Sequence, residues 1–412
     1  MMRSVAARNG WRGRRTSAAR HTSSGSRFDV TVAQQHDEVE ALRHTWRSFD
    51  WPSVSADLDY FLAVCRTEST VLRPHVLVLS REGSPAAMVM ARIEDVTLEC
   101  KLGYKPIYRP RVRLATVVPG GIAGALDEDL SRTILTELHA SLRGGAVDAI
   151  SLPAFRLDSP LLQAARDVVP FLSREHALLR TRHWILELPE SYEAFLASRS
   201  RNTRHKVRQL EKRARRELGS RLKVRVFTKV DELEQLMADL TAVVTKTYQR
   251  GLGVAFVDTE VEREAMSVAA QRGWLRGYVL YVDEHPVAYW YGNVYGSSFT
   301  TKETGYDPAY AEYRVGIFLL MRVIEDLADV GVVRTVDFAA GDREFKRRFS
   351  SDSWEESSML LFARTARGVR LNVARTSIVG TSRLVKHLLG RAGLLSTVRN
   401  RWRRRLAARP ES

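Results

Sequence analysis

Cysteine is nearly absent. Cys65 and Cys100 are the only two in 412 residues, with no CxxC and no His/Cys spacing suited to a metal. A disulfide framework is therefore excluded. Two buried, reduced thiols in a reducing compartment are expected, and no metal. Long apolar runs are also missing: nothing approaches the roughly 20 residues of a membrane-spanning helix. The N-terminus lacks the apolar core of a secretory signal. These absences predict a cytoplasmic protein. Acidic residues are scarce at both ends: Met1–Arg27 holds seven arginines and no acid, and Arg364–Ser412 holds thirteen lysines and arginines against Glu411 alone. These +7 and +12 exceed the whole-chain charge of +16, so residues 28–363 sum to −3. The basic character belongs to the ends, which argues against nucleic-acid binding by the body.

The composition, 44% apolar and 8% aromatic, suffices for folded cores, and the length suggests two or three domains. Residues 1–27 read as a disordered basic extension. From Phe28 the chain alternates strand and helix patterns. His75–Ser80, a turn at Arg81–Pro85 and Ala86–Ile93 form a hairpin. Arg113–Val118, a helix over Asp127–Leu142 and Val147–Leu152 follow, and His183–Leu188 closes the half. A linking helix over Ser191–Leu218 leads into the same order again. Gly277–Trp290 lines up with the first hairpin, and Leu327–Phe338 with Leu138–Leu152. Two copies of β-α-α-β-β-β-α-β predict a tandem duplication. The expected fold class is α/β, with a mixed sheet covered by helices on both sides. The expected boundaries are 28–188 for the first copy, 189–365 for the second and 366–412 for a basic amphipathic tail. That tail is expected to touch a membrane surface, at the inner face of the cell membrane.

Chemistry concentrates between Leu275 and Phe349. Alternation puts Tyr289, Tyr291 and Asn293 on one strand face, suited to stacking on a sugar or nucleotide. Glu303, Asp337 and Asp342 stand at strand ends or in loops, where a carboxylate can serve as a base. A Tyr306-Asp307 turn precedes Arg314, Val315, Gly316 and Ile317, which open a helix whose first N–H groups can receive phosphate. Lys346 is placed to fix Asp342 or to bind a substrate phosphate. Arg199–Arg216 carries nine basic residues against Glu211, and Arg201 and Arg204 lie on its outward face. That face is a solvated surface or a groove for a polyanion; it has no interleaved aromatics of the kind that bind nucleic acid.

Three stretches carry a family resemblance: Ser200-Arg-Asn-Thr-Arg-His-Lys, the turn from Tyr306 to Gly316, and Val336-Asp-Phe-Ala-Ala-Gly-Asp with Phe345, Lys346 and Phe349. The chain resembles acyltransferases of the GNAT superfamily, of the CelD/BcsL type, which are related to the FemABX peptidyltransferases. The first half resembles the degenerate N-terminal domain of the same proteins. The resemblance implies tandem GNAT-like domains. It also implies transfer of an acyl group, typically acetyl, from acyl-CoA to an amine or hydroxyl of a sugar, polysaccharide or cell-envelope precursor. On that reading Asp337, Asp342 and Glu303 are candidate bases and Tyr306 the acid for the leaving thiolate. Arg314–Ile317 then binds the donor phosphates, and Tyr289, Tyr291, Asn293, Asp307, Lys346, Arg201 and Arg204 face the substrate. A FemABX-like transfer from aminoacyl-tRNA and a non-catalytic binder of anionic ligands are the alternatives.

Overall fold

The computed structural model describes residues 19–22, 27–102, 105–143, 145–247 and 256–391. Strands β1 (Ala19–Thr22) and β2 (Asp29–Ala33) pair antiparallel, so part of the stretch expected to be disordered is a strand. Helices α1 (His36–Ala41), α2 (Arg43–Trp46) and α3 (Leu58–Thr67) follow. Asp57 starts α3 by accepting from the N–H groups of Asp59 and Tyr60. A hairpin of β3 (Val71–Arg81) and β4 (Ser84–Thr97), a small ribbon of β5 (Cys100–Leu102) and β6 (Lys105–Tyr108), and β7 (Arg111–Gly124) come next. Helix α4 (Glu128–Ala140), β8 (Ala149–Arg156), α5 (Pro160–Val168) and β9 (Arg180–Glu187) complete the first series.

The linking helix is broken into α6 (Tyr192–Ala197) and α7 (Arg201–Leu218). Ser191 and Ser200 each cap a new start, accepting from the N–H of Ala194 and Thr203, and this interrupts what apolar spacing alone reads as one helix. The second series is β10 (Leu222–Phe227), α8 (Leu233–Val244), α9 (Glu260–Gln271), β11 (Leu275–Val282), β12 (His285–Tyr295) and β13 (Ser298–Tyr306). It ends with α10 (Val315–Val330), β14 (Thr335–Ala340), α11 (Glu344–Phe349) and β15 (Asp352–Phe362), before α12 (Ala366–Arg391).

All strands but β5 and β6 form one sheet of 13, in the order β1-β2-β3-β4-β7-β8-β15-β9-β14-β13-β12-β11-β10. The duplication shows in its register. β7 and β8 run parallel and pair only over Leu114–Thr116 with Ala149–Ser151. β13 and β14 do the same over Ser298–Thr300 with Thr335–Asp337. One expectation is corrected: His183–Leu188 does not close the first half by pairing with its own neighbours. Strand β9 lies against β14 and β15, while β15 lies against β8. The last strand of each series is thus exchanged into the other. Alternation of Trp184, Leu186 and Leu188 specifies a buried face, not a partner. The face is satisfied in the second-half core, where Leu186 packs with Val336 and Phe338.

Helices cover both faces of the sheet. Helices α6, α7 and α10 share one core with Trp290, Phe299 and Phe338. Helices α8 and α9 cover Tyr289 and Tyr291 on the opposite face. Glu211, the single acid within Arg199–Arg216, ties α7 to the body through an ion pair with Arg322 and the hydroxyl of Tyr192. Helix α3 packs on α9, with Tyr60 and Val64 against Ala265, so the halves meet through helices as well as strands. Cys65 and Cys100 are buried and free, as expected. Among the described residues no helix is long and apolar enough to cross a membrane. The tail beyond Arg391 lies outside the described residues.

The two equivalent hairpins turn through paired positive-φ residues, Glu82 (52°) with Gly83 (80°), and Asp283 (50°) with Glu284 (61°). The second turn holds two side chains in the left-handed region, where each costs about 1–2 kcal/mol. Glu284→Gly is therefore expected to stabilise the protein by about 1 kcal/mol in urea unfolding; its exposed contact with Lys223 contributes little.

Candidate active site

Beyond Thr300 and Asp337, β13 and β14 no longer pair, and the sheet opens between them. A bulge on β13 shapes one wall of this opening. Tyr291 faces Glu303 and Gly292 faces Thr301, which leaves Lys302 as an extra residue. Glycine is required at 292, because a Cβ there would lie 2.1 Å from the Thr300 carbonyl oxygen. The bulge lets Lys302 and Glu303 both turn toward α9. Lys302 Nζ donates to Tyr60 Oη at 2.7 Å and to Glu262 Oε1 at 3.2 Å. Tyr291 Oη donates to the same Glu262 oxygen at 2.8 Å. Gly305 admits the Tyr289 ring, whose Cε1 would stand 2.6 Å from a Cβ at 305.

Glu303 sits inside this arrangement with its Oε2 buried, next to the buried Tyr289 hydroxyl, whose hydrogen-bonding pull acts on it. Burial and the charge of Glu262 push the Glu303 carboxyl up to about 7, against the pull of Lys302 and Tyr289. Burial works against the Lys302 ammonium too, but Tyr60 and Glu262 outweigh it and hold its pKa above the usual lysine value. Two carboxylates and one ammonium therefore share a half-buried space. A carboxyl poised near neutrality is what proton abstraction requires.

At the far end of β13, Tyr306 is 43% exposed. Its ring lies over the start of α10, 3.4 Å from where a Cβ on Gly316 would be. Asp307 caps the turn that follows, accepting from Ala309 N at 2.9 Å, and pairs with Lys246 at 3.1 Å. Arg314 takes a left-handed conformation (φ 50°, ψ 41°) and begins α10. The side chains of Val315 and Ile317 pack into the core, so only their backbone faces the opening.

Asp337 belongs to a second polar cluster, along the exchanged strands. His183 bridges Asp337 Oδ1 at 2.7 Å and Glu356 Oε2 at 2.8 Å, and stacks on Trp354 with centroids 4.5 Å apart. Burial disfavours the imidazolium, but the two carboxylates outweigh it and hold the ring at about 9. Lys346 lies nearby, donating to the carbonyls of Ala339 and Ala340 at 3.1 and 2.8 Å. Burial and the charge of Arg343 lower it to about 8, against Asp337 and Glu356.

The structure thus joins Glu303, Tyr289 and Tyr291 in one cluster on the α9 face of β13, and sets Tyr306 with Gly316 on the α10 face at the far end of the same strand, Asp307 and Arg314 following it. It places Asp337 and Lys346 in the second cluster. Asp342 stands apart, in a surface pair with Arg347 at 2.7 Å and out of contact with Lys346. Tyr289, Tyr291 and Asn293 are buried rather than presented as a stacking face. Arg204 caps α6 through the carbonyls of Ala197 and Arg199, and Arg201 is exposed on α7, which covers the face opposite Glu303. Sequence reasoning missed Tyr60, Glu262, Lys302 as a cluster member, His183 and Glu356. Tyr60 lies within α3 beside its buried apolar residues, and nothing local marks it as a partner for Lys302. Glu262 follows Thr259 by three, the spacing of an ordinary helix cap.

The fold agrees with known proteins. Residues 201–347 match the model of the acetyltransferase (GNAT) domain family. The crystal structure of FemX is similar, with TM-score 0.54 at 11% identity over 80% of this chain and 97% of that one. A tandem GNAT protein from the clavulanic acid biosynthesis pathway is also similar, with TM-score 0.51 at 9% identity over 82% of this chain and 99% of that one. Comparison with curated proteins returns no match. The chain therefore has a tandem GNAT-like fold, which the FemX structure shares.

The His183 cluster sets a pH dependence of stability. A folded pKa of about 9 lies above the unfolded value of 6.5, so the stabilisation is complete below about pH 6.5 and is lost as pH rises through about 9. Denaturant unfolding is expected to weaken by up to about 3 kcal/mol across that window. His183→Gln should flatten the dependence.

Proposed function

We propose that this chain transfers an acyl group, typically acetyl, from acyl-CoA to an amine or hydroxyl of a sugar, polysaccharide or cell-envelope precursor. Glu303 acts as the general base. The supporting observation is its half-buried carboxyl, with Oε2 shielded from solvent, held at about 7 beside the gap between β13 and β14. The gap also fits the donor. Helix α10 presents its N-terminus there, Gly316 leaves room beside Tyr306, and the β13 edge beyond Thr300 has no β14 partner.

In this mechanism Glu303 removes the acceptor proton as the acceptor attacks the thioester carbonyl. The new C–N or C–O bond forms, the C–S bond breaks, and the thiolate takes a proton from Tyr306. Unpaired backbone N–H groups on β13 polarise the carbonyl. Lys302 and Tyr60 hold Glu262 and, through it, the field at Glu303. Asp337 serves as a structural anion for His183 on this reading, and Asp342 takes no part.

An aminoacyl-tRNA donor is the second reading. The observation in its favour is the run of exposed basic side chains on α7, Arg201, Arg208, Lys212 and Arg215 among them.

Isothermal calorimetry should detect acyl-CoA binding. Glu303→Gln should leave that binding intact and lower kcat by about 10²–10⁴-fold. The wild-type rate should rise with pH to a plateau above about 7. No heat with any acyl-CoA at millimolar concentration, together with salt-sensitive tRNA binding, would move the donor assignment to aminoacyl-tRNA.

A further inference from the structure

Far from Glu303, on the first half, lies a cavity of about 460 Å³ between α5, the segment leading into β9, β15 and α12. Arg166, Arg180 and Arg383 line it with His176, Asp158 and Glu355. Its two acids are already engaged. Asp158 is held by both arms of Arg156, at 3.1 and 3.2 Å, and Glu355 lies 3.8 Å from Arg180. Arg166 and Arg383 have no carboxylate partner among the described residues; Arg383 donates to the carbonyl of Leu178. The cavity wall is therefore cationic.

The rim is apolar and outward. Phe171, Leu172 and Leu179 are 65%, 57% and 52% exposed, unusual for three large apolar residues within nine positions. They are not loose. His176 stacks on Phe171 with centroids 4.0 Å apart and bonds its carbonyl at 2.8 Å. Asn372 of α12 fixes the carbonyls of Leu172 and Arg174 at 2.9 Å each. On α12 itself, Leu371 and Val379 pack inward while Val373, Leu384 and Val385 are exposed. Rigid apolar side chains beside a cationic cavity match the two layers of an anionic bilayer: acyl chains at the boundary and phosphates just above.

We propose that this face docks on a membrane of anionic phospholipid. Phe171, Leu172 and Leu179 enter the headgroup boundary, and one headgroup phosphate seats between Arg166, Arg180 and Arg383. The surface is separate from the acyl-transfer gap and does not depend on the donor assigned there.

The full-length chain is sedimented with vesicles of phosphatidylcholine plus phosphatidylglycerol, and with phosphatidylcholine alone. Binding is expected only to the anionic vesicles. Arg166→Gln with Arg383→Gln should raise the half-saturating lipid concentration on the order of twentyfold, at about fivefold per arginine. Phe171→Ser with Leu172→Ser should also weaken binding, with at most a small fall in melting temperature because the positions are mostly exposed and only the His176 stack is lost. As an independent readout, F171W fluorescence should shift blue on binding and be quenched by brominated phosphatidylglycerol. Equal binding to neutral vesicles would overturn the proposal, as would binding unaffected by either variant pair, which would place the contact elsewhere. Stabilisation by micromolar inorganic phosphate without vesicle binding would assign the cavity to a dissolved anion and also overturn it.

Discussion

The exchange of terminal strands is the constraint on which the rest depends. Because β15 lies between β8 and β9, and β9 between β15 and β14, neither half can complete its sheet without the other. The halves are thereby held at a fixed relation. That relation seats α3 against α9 and brings Tyr60, from the first series, to Lys302 in the second. A buried ammonium needs its donors satisfied and a countercharge nearby. Tyr60 and Glu262 supply both, and the charge of Glu262 then helps hold Glu303 near neutrality.

The same architecture explains why the polar chemistry sits in one copy only. Both copies part their parallel strands after three pairs, and both carry a register shift on the neighbouring strand. In the second copy, Lys302 and Glu303 follow the last pair. In the first, Val117, Val118, Pro119, Gly120 and Gly121 follow it and offer no ionisable side chain. There Gly120 lets Ser53 approach; a Cβ would stand 2.8 Å from the serine side chain. The first copy keeps the opening and fills it with packing, and its distinctive polar surface is the arginine-lined cavity beneath α12.

Much of this was legible in the sequence, because alternation and capping are local. Most of the strands, the two hairpins, the turn before Gly316 and the duplication follow from patterns within a few residues; β15 and the short β1, β5 and β6 were not read from the sequence. Glu303 could be named as a candidate, but nothing local ranked it above Asp337. Their difference is made by distant partners: His183 and Glu356 engage Asp337, while Glu262 and burial raise Glu303. The partner of β9 was hidden for the same reason, since Trp184, Leu186 and Leu188 define a face that either sheet could bury. Tyr289 and Tyr291 read as a binding surface because alternation shows which residues share a face, not which helices cover it.

The proposed chemistry depends on the protonation state of the Glu303 carboxyl. Carbon-13 NMR titration of protein labelled at the glutamate side-chain carboxyl carbon tests it directly, with Glu303→Gln identifying the resonance. One signal is predicted to titrate near pH 7, to vanish in Glu303→Gln, and to move to lower pH in Glu262→Gln, where a neighbouring negative charge is removed. A Glu303 signal titrating in the ordinary range near 4, or one indifferent to Glu262→Gln, would contradict it.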